Sequence, residues 1–175
     1  MKLYLDMDGV IADFFGSLEK EWGVAHWKDI DDPVIAIDGL RNTDWFGRLQ
    51  PFQTSTKLVT ACRRIAGKDY GICSSPIKGD DINSGFWKRT WLTRHKFLPS
   101  VKNFIITHEK WKFATEEITG EPNILVDDRP DNIKRWRDAG GIGIEYQANK
   151  DSLEDLIHNL EYQFRATSYR NRSYP

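Results

Sequence analysis

Two aspartates near the start of the chain, Asp6 and Asp8, directly follow an apolar run and immediately precede Gly9. Side chains alternate along an extended segment, so both carboxylates lie on one side of the chain. Like charges this close repel each other, and a hard divalent cation, which prefers oxygen ligands, would relieve the repulsion. Such pairs also occur in solvated acidic turns, so the assignment depends on partners elsewhere in the chain.

The elements that must position these carboxylates alternate between strands and helices. Short apolar runs predict buried strands, and apolar residues at helical spacing predict helices. The alternation predicts an α/β fold, a Rossmann-like parallel sheet with helices on both faces. The predicted strands span 2–6, 70–73, 103–107, 123–126 and 141–146, and the predicted helices span 10–18, 54–66, 82–96, 129–140 and 151–164.

The segment 13–52 is rich in aromatic residues and is interrupted by an Asp-Asp-Pro sequence. We interpret it as a small helical cap, inserted after the first strand and lying over the mouth of a core formed by 1–12 and 53–165. Phe14, Trp45 and Phe46 are expected at the open edge of the cap, although packing within the cap explains these aromatics almost as well. The basic end of the chain, 166–175, is predicted to be a flexible tail.

The composition favours a globular protein with a packed core. Of 175 residues, 39% are hydrophobic and 29% are charged, and the formal net charge is −1. This balance predicts no overall attraction to nucleic acid or to an anionic membrane. Cys62 and Cys73 have neither metal-ligand spacing nor the pattern of a disulfide framework. With no apolar stretch long enough to span a membrane and no recognisable signal peptide, we expect a cytoplasmic protein.

Polar side chains follow three of the other predicted strands. The carboxyl ends of parallel strands meet at one edge of a sheet, where open α/β folds bind their ligands. Carboxylates at this edge suit Mg²⁺, and hydroxyl groups and a lysine suit a phosphate. These side chains are Ser74 and Ser75 after the second strand, Lys110 after the third, and Asp127, Asp128 and Arg129 after the fourth.

Several of these assignments have alternatives. Lys112 competes with Lys110, and both could be surface lysines. Ser75 could simply cap a helix or a turn, and Arg129 could pair with Asp131 or another surface acid. A carboxylate beside a metal and a phosphate can attack phosphorus and form an aspartyl-phosphate. The ordered set of loops therefore favours phosphoryl transfer.

The four loops resemble the motifs of the haloacid dehalogenase-like phosphotransferases, and here they read DMDGV, ICSSP, HEK and ILVDDRP. Longer stretches, DMDGVIADF, ICSSPIK and ILVDDRPDN, with WFGRLQP in the cap, look like the 5′(3′)-deoxyribonucleotidase family. The stretch NIKRWRDAGGIGIEY looks like the bacterial and phage members of that family. The resemblance covers residues 1–146. The cap is short, which implies an open site, and it lacks the Pro-Gly that follows the lid in close relatives.

The resemblance implies a role for each candidate residue. Asp6 would be the nucleophile and a Mg²⁺ ligand. Asp8 would be the general acid and then the general base, with its backbone carbonyl also binding the metal. Asp128 would bind the metal directly. Asp127 would bind it through a water molecule or hold the direct ligands in place. Because the two residues are adjacent, which of them is the direct ligand is left open. The phosphate would be held by Ser74 and Lys110 with help from Ser75, Arg129 and the amides of Gly9 and Val10, and the base would contact Phe14, Trp45 and Phe46.

The expected function is that of a Mg²⁺-dependent phosphatase that hydrolyses deoxyribo- or ribonucleoside monophosphates through an aspartyl-phosphate. A phosphatase for nucleic-acid 3′ ends or another small phosphate ester is the second hypothesis, and a non-catalytic binding scaffold is the third. The expected partner is the nucleoside monophosphate. Neither a membrane nor a stable nucleic-acid complex is expected, and a homodimer is left open.

Overall fold

The computed structural model describes residues 1–170, with side chains through residue 166. Its parallel sheet contains five strands: β1 Leu3–Leu5, β2 Tyr70–Ser74, β3 Phe104–Ile106, β4 Ile124–Asp127 and β5 Ile142–Glu145. Their order across the sheet is β3-β2-β1-β4-β5, and every neighbouring pair is parallel. The predicted α/β fold is confirmed, and each predicted strand is present within about one residue at either end.

The helices surround this sheet. They are α1 Phe14–Trp22, α2 Pro33–Asp38, α3 Trp45–Arg48, α4 Ser55–Ala66, α5 Asp81–Arg94, α6 Pro130–Asp138 and α7 Leu153–Arg170. Short 3-10 segments lie at Trp27–Asp29, Gly67–Asp69, Val101–Asn103 and Lys110–Phe113.

The first helix begins later than the sequence predicted. We expected a helix over 10–18, but residues 9–12 form a tight turn in which the Gly9 amide donates to the Ala12 carbonyl over 2.9 Å. Gly9 has a φ of +74°, a left-handed conformation that favours glycine. Asp13 then caps α1, because its Oδ1 accepts a hydrogen bond from the Gly16 amide at 2.9 Å. The turn and the cap therefore move the helix start to Phe14.

Alternating residues of β1 pack on the two faces of the sheet. Leu3 and Leu5 belong to the larger hydrophobic cluster, to which α4, α5 and α7 contribute. Tyr4 packs on the other face, edge-on against Trp136 of α6 with ring centroids 6.1 Å apart. A parallel sheet covered on both faces requires this pattern of burial.

The segment between β1 and α4, which we call the cap, contains α1, α2 and α3. Its last helix, α3, is fixed on α5 of the core. The Trp91 indole donates to the Leu49 carbonyl at 2.7 Å, and Arg94 donates to the Gly47 carbonyl at 2.8 Å. A Cβ atom at Gly47 would lie 2.6 Å from the Trp87 ring, so only glycine permits this approach.

The last helix is longer than the sequence predicted. Its buried residues Leu153, Leu156 and Leu160 belong to the core, and α7 continues to Arg170. Residues 166–170 are therefore helical, whereas we expected the flexible tail to begin at 166. The remainder of that predicted tail, 171–175, lies outside the described residues. Within residues 1–170, no helix has both the length and the apolar character that crossing a membrane requires.

Candidate active site

The predicted site residues gather at the carboxyl edge of the sheet. Asp6 directly follows β1, Ser74 ends β2, and Asp127 ends β4. The chain order reverses between β1 and β4, so Asp6 and Asp127 flank the point at which open α/β sheets bind ligands. The sheet topology therefore brings together residues that are more than a hundred positions apart in sequence.

Lys110 joins two of these carboxylates. Its Nζ lies 2.9 Å from Asp6 Oδ2 and 2.6 Å from Asp127 Oδ2, and the lysine is almost fully buried. Lys112, its rival in the sequence, has an exposed side chain that pairs with Glu109. Of the two lysines, the structure therefore brings Lys110 into the site.

A second buried lysine, Lys88, was missed by the sequence analysis. It lies in the middle of α5 and its Nζ donates to Asp8 Oδ2 at 2.6 Å and to Ser74 Oγ at 2.8 Å. The signal was its helical register, because Ser84 and Trp91, four residues before and three after, are buried on the same face. A lysine at a buried helical position needs a charged or polar partner.

Asp6 and Asp8 differ in their environments although only one residue separates them. Burial alone would raise the pKa of Asp6, but Lys110, Lys88 and the Ser74 hydroxyl lower it below its ordinary value. Burial raises the pKa of Asp8; Lys88 opposes this shift and the charge of Asp6 adds to it. Asp8 thus holds a proton more tightly than an ordinary aspartate does, and Asp6 holds one less tightly.

A cluster of three buried carboxylates could hold a metal ion. Asp6, Asp127 and Asp128 each offer one oxygen, and these atoms lie within 4.8 Å of one another. Burial raises the pKa of Asp128 to about 8, and the charges of Asp6, Asp127 and Asp8 contribute to the rise. A divalent cation would offset this mutual repulsion, so the donor set fits a hard metal.

The two adjacent aspartates after β4 have different neighbours. Asp127 accepts hydrogen bonds from three donors, which are Lys110 Nζ, the Arg129 amide at 2.9 Å and Asn132 Nδ2. The Asn132 nitrogen lies 3.1 Å from each of the two Asp127 oxygens. The Asp128 side chain has no hydrogen-bond or ion-pair partner among the described residues. It lies close to the Gly9 backbone, where a larger residue would leave no room for it. A Cβ atom at Gly9 would lie only 2.5 Å from Asp128 Cγ. This arrangement leaves Asp128 the freer of the two to bind a cation.

Other predicted phosphate ligands have protein partners in this structure. The Ser75 hydroxyl donates to the Thr107 carbonyl at 3.2 Å. The Arg129 guanidinium pairs with Asp131, with Nη2 2.9 Å from Oδ2, and more than half of its side chain is exposed. Arg129 is therefore placed at the rim, and either contact would have to yield if a phosphate took its place.

The predicted base-contact residues are buried, not at an open edge as we expected. Phe14, Trp45 and Phe46 are only 6%, 3% and 3% exposed. The Phe14 ring centroid lies 6.0 Å from that of Trp45 and 5.9 Å from that of Phe46, so the three rings bury one another. Phe46 nevertheless reaches the site, since its ring centroid lies 4.2 Å from Lys88 Nζ.

Comparison with known proteins identifies distant relatives. No model of a known protein family matches the chain. It is similar to the mitochondrial 5′(3′)-deoxyribonucleotidases of Mus musculus and Homo sapiens, with 24% and 23% identity over 155 residues. Each match covers 75% of this chain, and the matches span 66% of the mouse protein and 63% of the human protein. The chain is thus a weak homologue of these two proteins.

Proposed function

We propose that this protein is a Mg²⁺-dependent phosphatase of nucleoside monophosphates that works through an aspartyl-phosphate. One observation carries the proposal: Asp6, Asp127 and Asp128 converge around Lys110 at the switch point of the sheet, with Asp8 two positions after Asp6. The environment also lowers the pKa of Asp6 and raises that of Asp8. Carboxyl groups with separated pKa values suit a nucleophile paired with a proton donor. Distant homology to enzymes named deoxyribonucleotidases supports a nucleotide phosphatase at the level of the broad family.

Asp6 is the proposed nucleophile. Its lowered pKa keeps it ionised, and Lys110 at 2.9 Å fixes one of its oxygens. The other oxygen, Asp6 Oδ1, accepts a hydrogen bond from the Met7 amide at 2.7 Å, which fixes the plane of the carboxylate. A carboxylate oxygen attacks phosphorus, the bond from phosphorus to the nucleoside oxygen breaks, and an aspartyl-phosphate forms.

Asp8 is the proposed proton carrier. Its raised pKa favours the acid, which gives its proton to the departing nucleoside oxygen. The resulting carboxylate then takes a proton from the water that attacks the aspartyl-phosphate. Inorganic phosphate leaves, Asp6 is regenerated, and Asp8 is again protonated for the next cycle.

The metal would be held by Asp6, Asp128 and the Asp8 backbone carbonyl, with Asp127 supporting the set through Lys110 and Asn132. When bound, Mg²⁺ supplies positive charge that offsets the anionic phosphate and the neighbouring carboxylates. Ser74 and Lys110 would bind the phosphoryl oxygens. The Val10 amide is a further proposed phosphate contact. The Gly9 amide, Ser75 and Arg129 are also proposed, and each would exchange its present protein partner for the phosphate.

The nucleotide would lie against the cap. Phe46 is the proposed contact closest to the reacting groups, because it packs on Lys88. Phe14 and Trp45 would then contact the base only after a change in the packing of the three rings. The relation to bacterial and phage members of the family, a cytoplasmic location and a homodimer stay predictions.

The experiment that tests this function measures phosphate release from a panel of 5′- and 3′-deoxyribo- and ribonucleoside monophosphates. The panel is run with Mg²⁺ and with EDTA, on the wild type and on Asp6→Asn. Asp138→Asn is the matched control, because Asp138 is an exposed aspartate paired with Lys134 far from the site. We expect release that requires both Mg²⁺ and Asp6 and that survives in the control.

Two other outcomes would contradict the proposal. Hydrolysis of a simple phosphate ester but of no nucleotide would remove the nucleotide assignment. Absence of hydrolysis of every monophosphate by folded protein that binds Mg²⁺ would favour a non-catalytic scaffold.

A further inference from the structure

Lys88 is an unusual residue for the middle of a helix. Its side chain has no exposed surface, and it lies on the core-facing side of α5 beside Trp91. A buried ammonium group is strongly unfavourable unless it is paired and hydrogen-bonded. The fold therefore retains this lysine for its contacts.

Those contacts join three separate parts of the molecule. Nζ donates to Asp8 Oδ2 after β1 at 2.6 Å and to Ser74 Oγ at the end of β2 at 2.8 Å. The ring centroid of Phe46, from α3 of the cap, lies 4.2 Å from the same atom. Two acceptors and a cation–π contact satisfy the ammonium group without any substrate oxygen.

The other oxygen of Asp8 has no such partner. Asp8 Oδ1 is buried and, among the described residues, makes no hydrogen bond. Because Lys88 occupies Oδ2, Oδ1 is the oxygen that is left to carry a proton to or from a reacting group. The unsatisfied Oδ1 would find its partner only when a leaving oxygen or a water molecule arrives.

We propose that Lys88 is a positioning residue: by holding Asp8 Oδ2 against Ser74 and Phe46, it presents Oδ1 for proton transfer at the phosphate. This inference rests on the proposed function, and it adds a residue that acts through Asp8 and not on the phosphate itself. Its contacts also connect the proton carrier to the cap, so the position of Phe46 affects the alignment of Asp8.

The test compares two substrates whose leaving groups differ in their need for a proton. A deoxyribonucleoside monophosphate loses an alcohol that must be protonated, whereas 4-nitrophenyl phosphate loses a phenolate that leaves unaided. The measurement is kcat/KM with Mg²⁺, which reports the steps through departure of the leaving group. Asp8→Asn sets the reference, with an expected loss of about 10²–10⁴-fold on the nucleotide and a much smaller loss on the nitrophenyl ester.

Lys88→Met is expected to shift the ratio of the two kcat/KM values in the same direction as Asp8→Asn, by about 10-fold or more. In an Asp8→Asn background, Lys88→Met should leave that ratio unchanged, since the residue acts through Asp8. Arg89→Met is the matched control, because it removes an exposed cation from the next position of α5. Lys88→Arg provides a second variant that keeps the charge and changes its geometry, and the same shift is expected at a smaller size.

Equal losses on both substrates in Lys88→Met and Lys88→Arg would overturn the inference, because a structural or phosphate-binding role has that signature. A further shift of the ratio in the Asp8→Asn background would overturn it as well. Wild-type protein that shows no Asp6-dependent hydrolysis of either ester would overturn the proposed function and the inference together. If the wild type hydrolyses both esters and Lys88→Met leaves the ratio of the two kcat/KM values unshifted, the inference alone is overturned.

Discussion

The site contains two buried lysines, each paired with carboxylates, and the two groups differ in what each lysine contacts. Lys110 contacts two carboxylates, those of Asp6 and Asp127, whereas Lys88 contacts one, that of Asp8, and the Ser74 hydroxyl. The pKa of Asp6 is lowered, although burial opposes this, while burial raises the pKa of Asp8. The difference shows that identical side chains two positions apart obtain different proton affinities from their neighbours.

The largest effect on this comparison is expected from removing the proposed nucleophile, Asp6. Asp6→Asn keeps the size of the side chain but cannot form an acyl-phosphate. We expect kcat for nucleotide hydrolysis to fall by about 10⁴-fold or more, the scale typical of a lost nucleophile. Steady-state phosphate release checks this value, and retention of a tenth of the wild-type rate would assign the attack on phosphorus to another group.

The stability of the metal-free protein should also distinguish the two lysines. Lys110→Met leaves two buried carboxylates without a cation, and it should lower the free energy of unfolding by about 3–5 kcal/mol. Lys88→Met leaves only Asp8, whose side chain is 22% exposed, so a smaller loss of about 1–3 kcal/mol is expected.

Urea unfolding in EDTA measures both values. Lys112→Met serves as the control, because its side chain is exposed and should change stability by about 0.5 kcal/mol or less. A loss in Lys88→Met as large as that in Lys110→Met would contradict the distinction between the two groups.

The pH dependence of stability tests the carboxylate cluster beside Lys110. The pKa of Asp128 is raised from 3.8 to about 8, so the folded protein holds this proton more tightly than the unfolded chain does. The contribution of Asp128 is therefore fully present below pH 3.8 and is lost as the pH rises toward 8. Mg²⁺, which requires the ionised form, should raise the melting temperature more at pH 8 than at pH 6.

Thermal unfolding of the wild type and of Asp128→Asn, each in EDTA and in Mg²⁺, isolates this contribution. The difference in melting temperature between the two proteins in EDTA should change with pH between 4 and 8, and Mg²⁺ should stabilise the variant less. A constant difference across this range would place the titration on another group.

The smallest effect is expected outside both lysine groups, at Arg129. Its ion pair with Asp131 is exposed, so Arg129→Gln should change the free energy of unfolding by about 0–1 kcal/mol. As a proposed phosphate contact at the rim, it should raise KM for the nucleotide with little change in kcat. A large fall in kcat with unchanged KM would give Arg129 a role in the transition state that its geometry does not support.

The same comparison explains how much could be predicted from sequence. The strands and the loops after them could be predicted, because apolar runs ending in polar residues mark the carboxyl edge of a parallel sheet. Lys110 was accessible in this way, since it follows β3. Lys88 follows no strand, and its signal was its helical spacing from Ser84 and Trp91. That signal is weak, because a lysine within an amphipathic helix is ordinarily assigned to the solvent face.

The cap shows a second limit of the sequence pattern. The aromatic residues Phe14, Trp45 and Phe46 were recognised, but their burial depends on mutual packing across α1 and α3, which no local pattern specifies. The start of α1 depended on the hydrogen bond that the Gly16 amide donates to Asp13 Oδ1, and α7 continues past the predicted end at residue 164. Tertiary packing therefore decided the burial of the three rings, whereas a local cap set the start of α1.

Direct detection of the phosphoryl group on Asp6 is the measurement that tests the central claim most directly. Asp8→Asn with Mg²⁺ is mixed with 4-nitrophenyl phosphate, quenched in acid within one turnover, digested and analysed by mass spectrometry. Because the phenolate leaves unaided but hydrolysis lacks its base, we expect a phosphoryl group to accumulate on the peptide carrying Asp6, and to be absent when Asp6 is also changed to Asn. Release of nitrophenol with no phosphoryl group on Asp6, or with one on a different residue, would contradict the proposed mechanism.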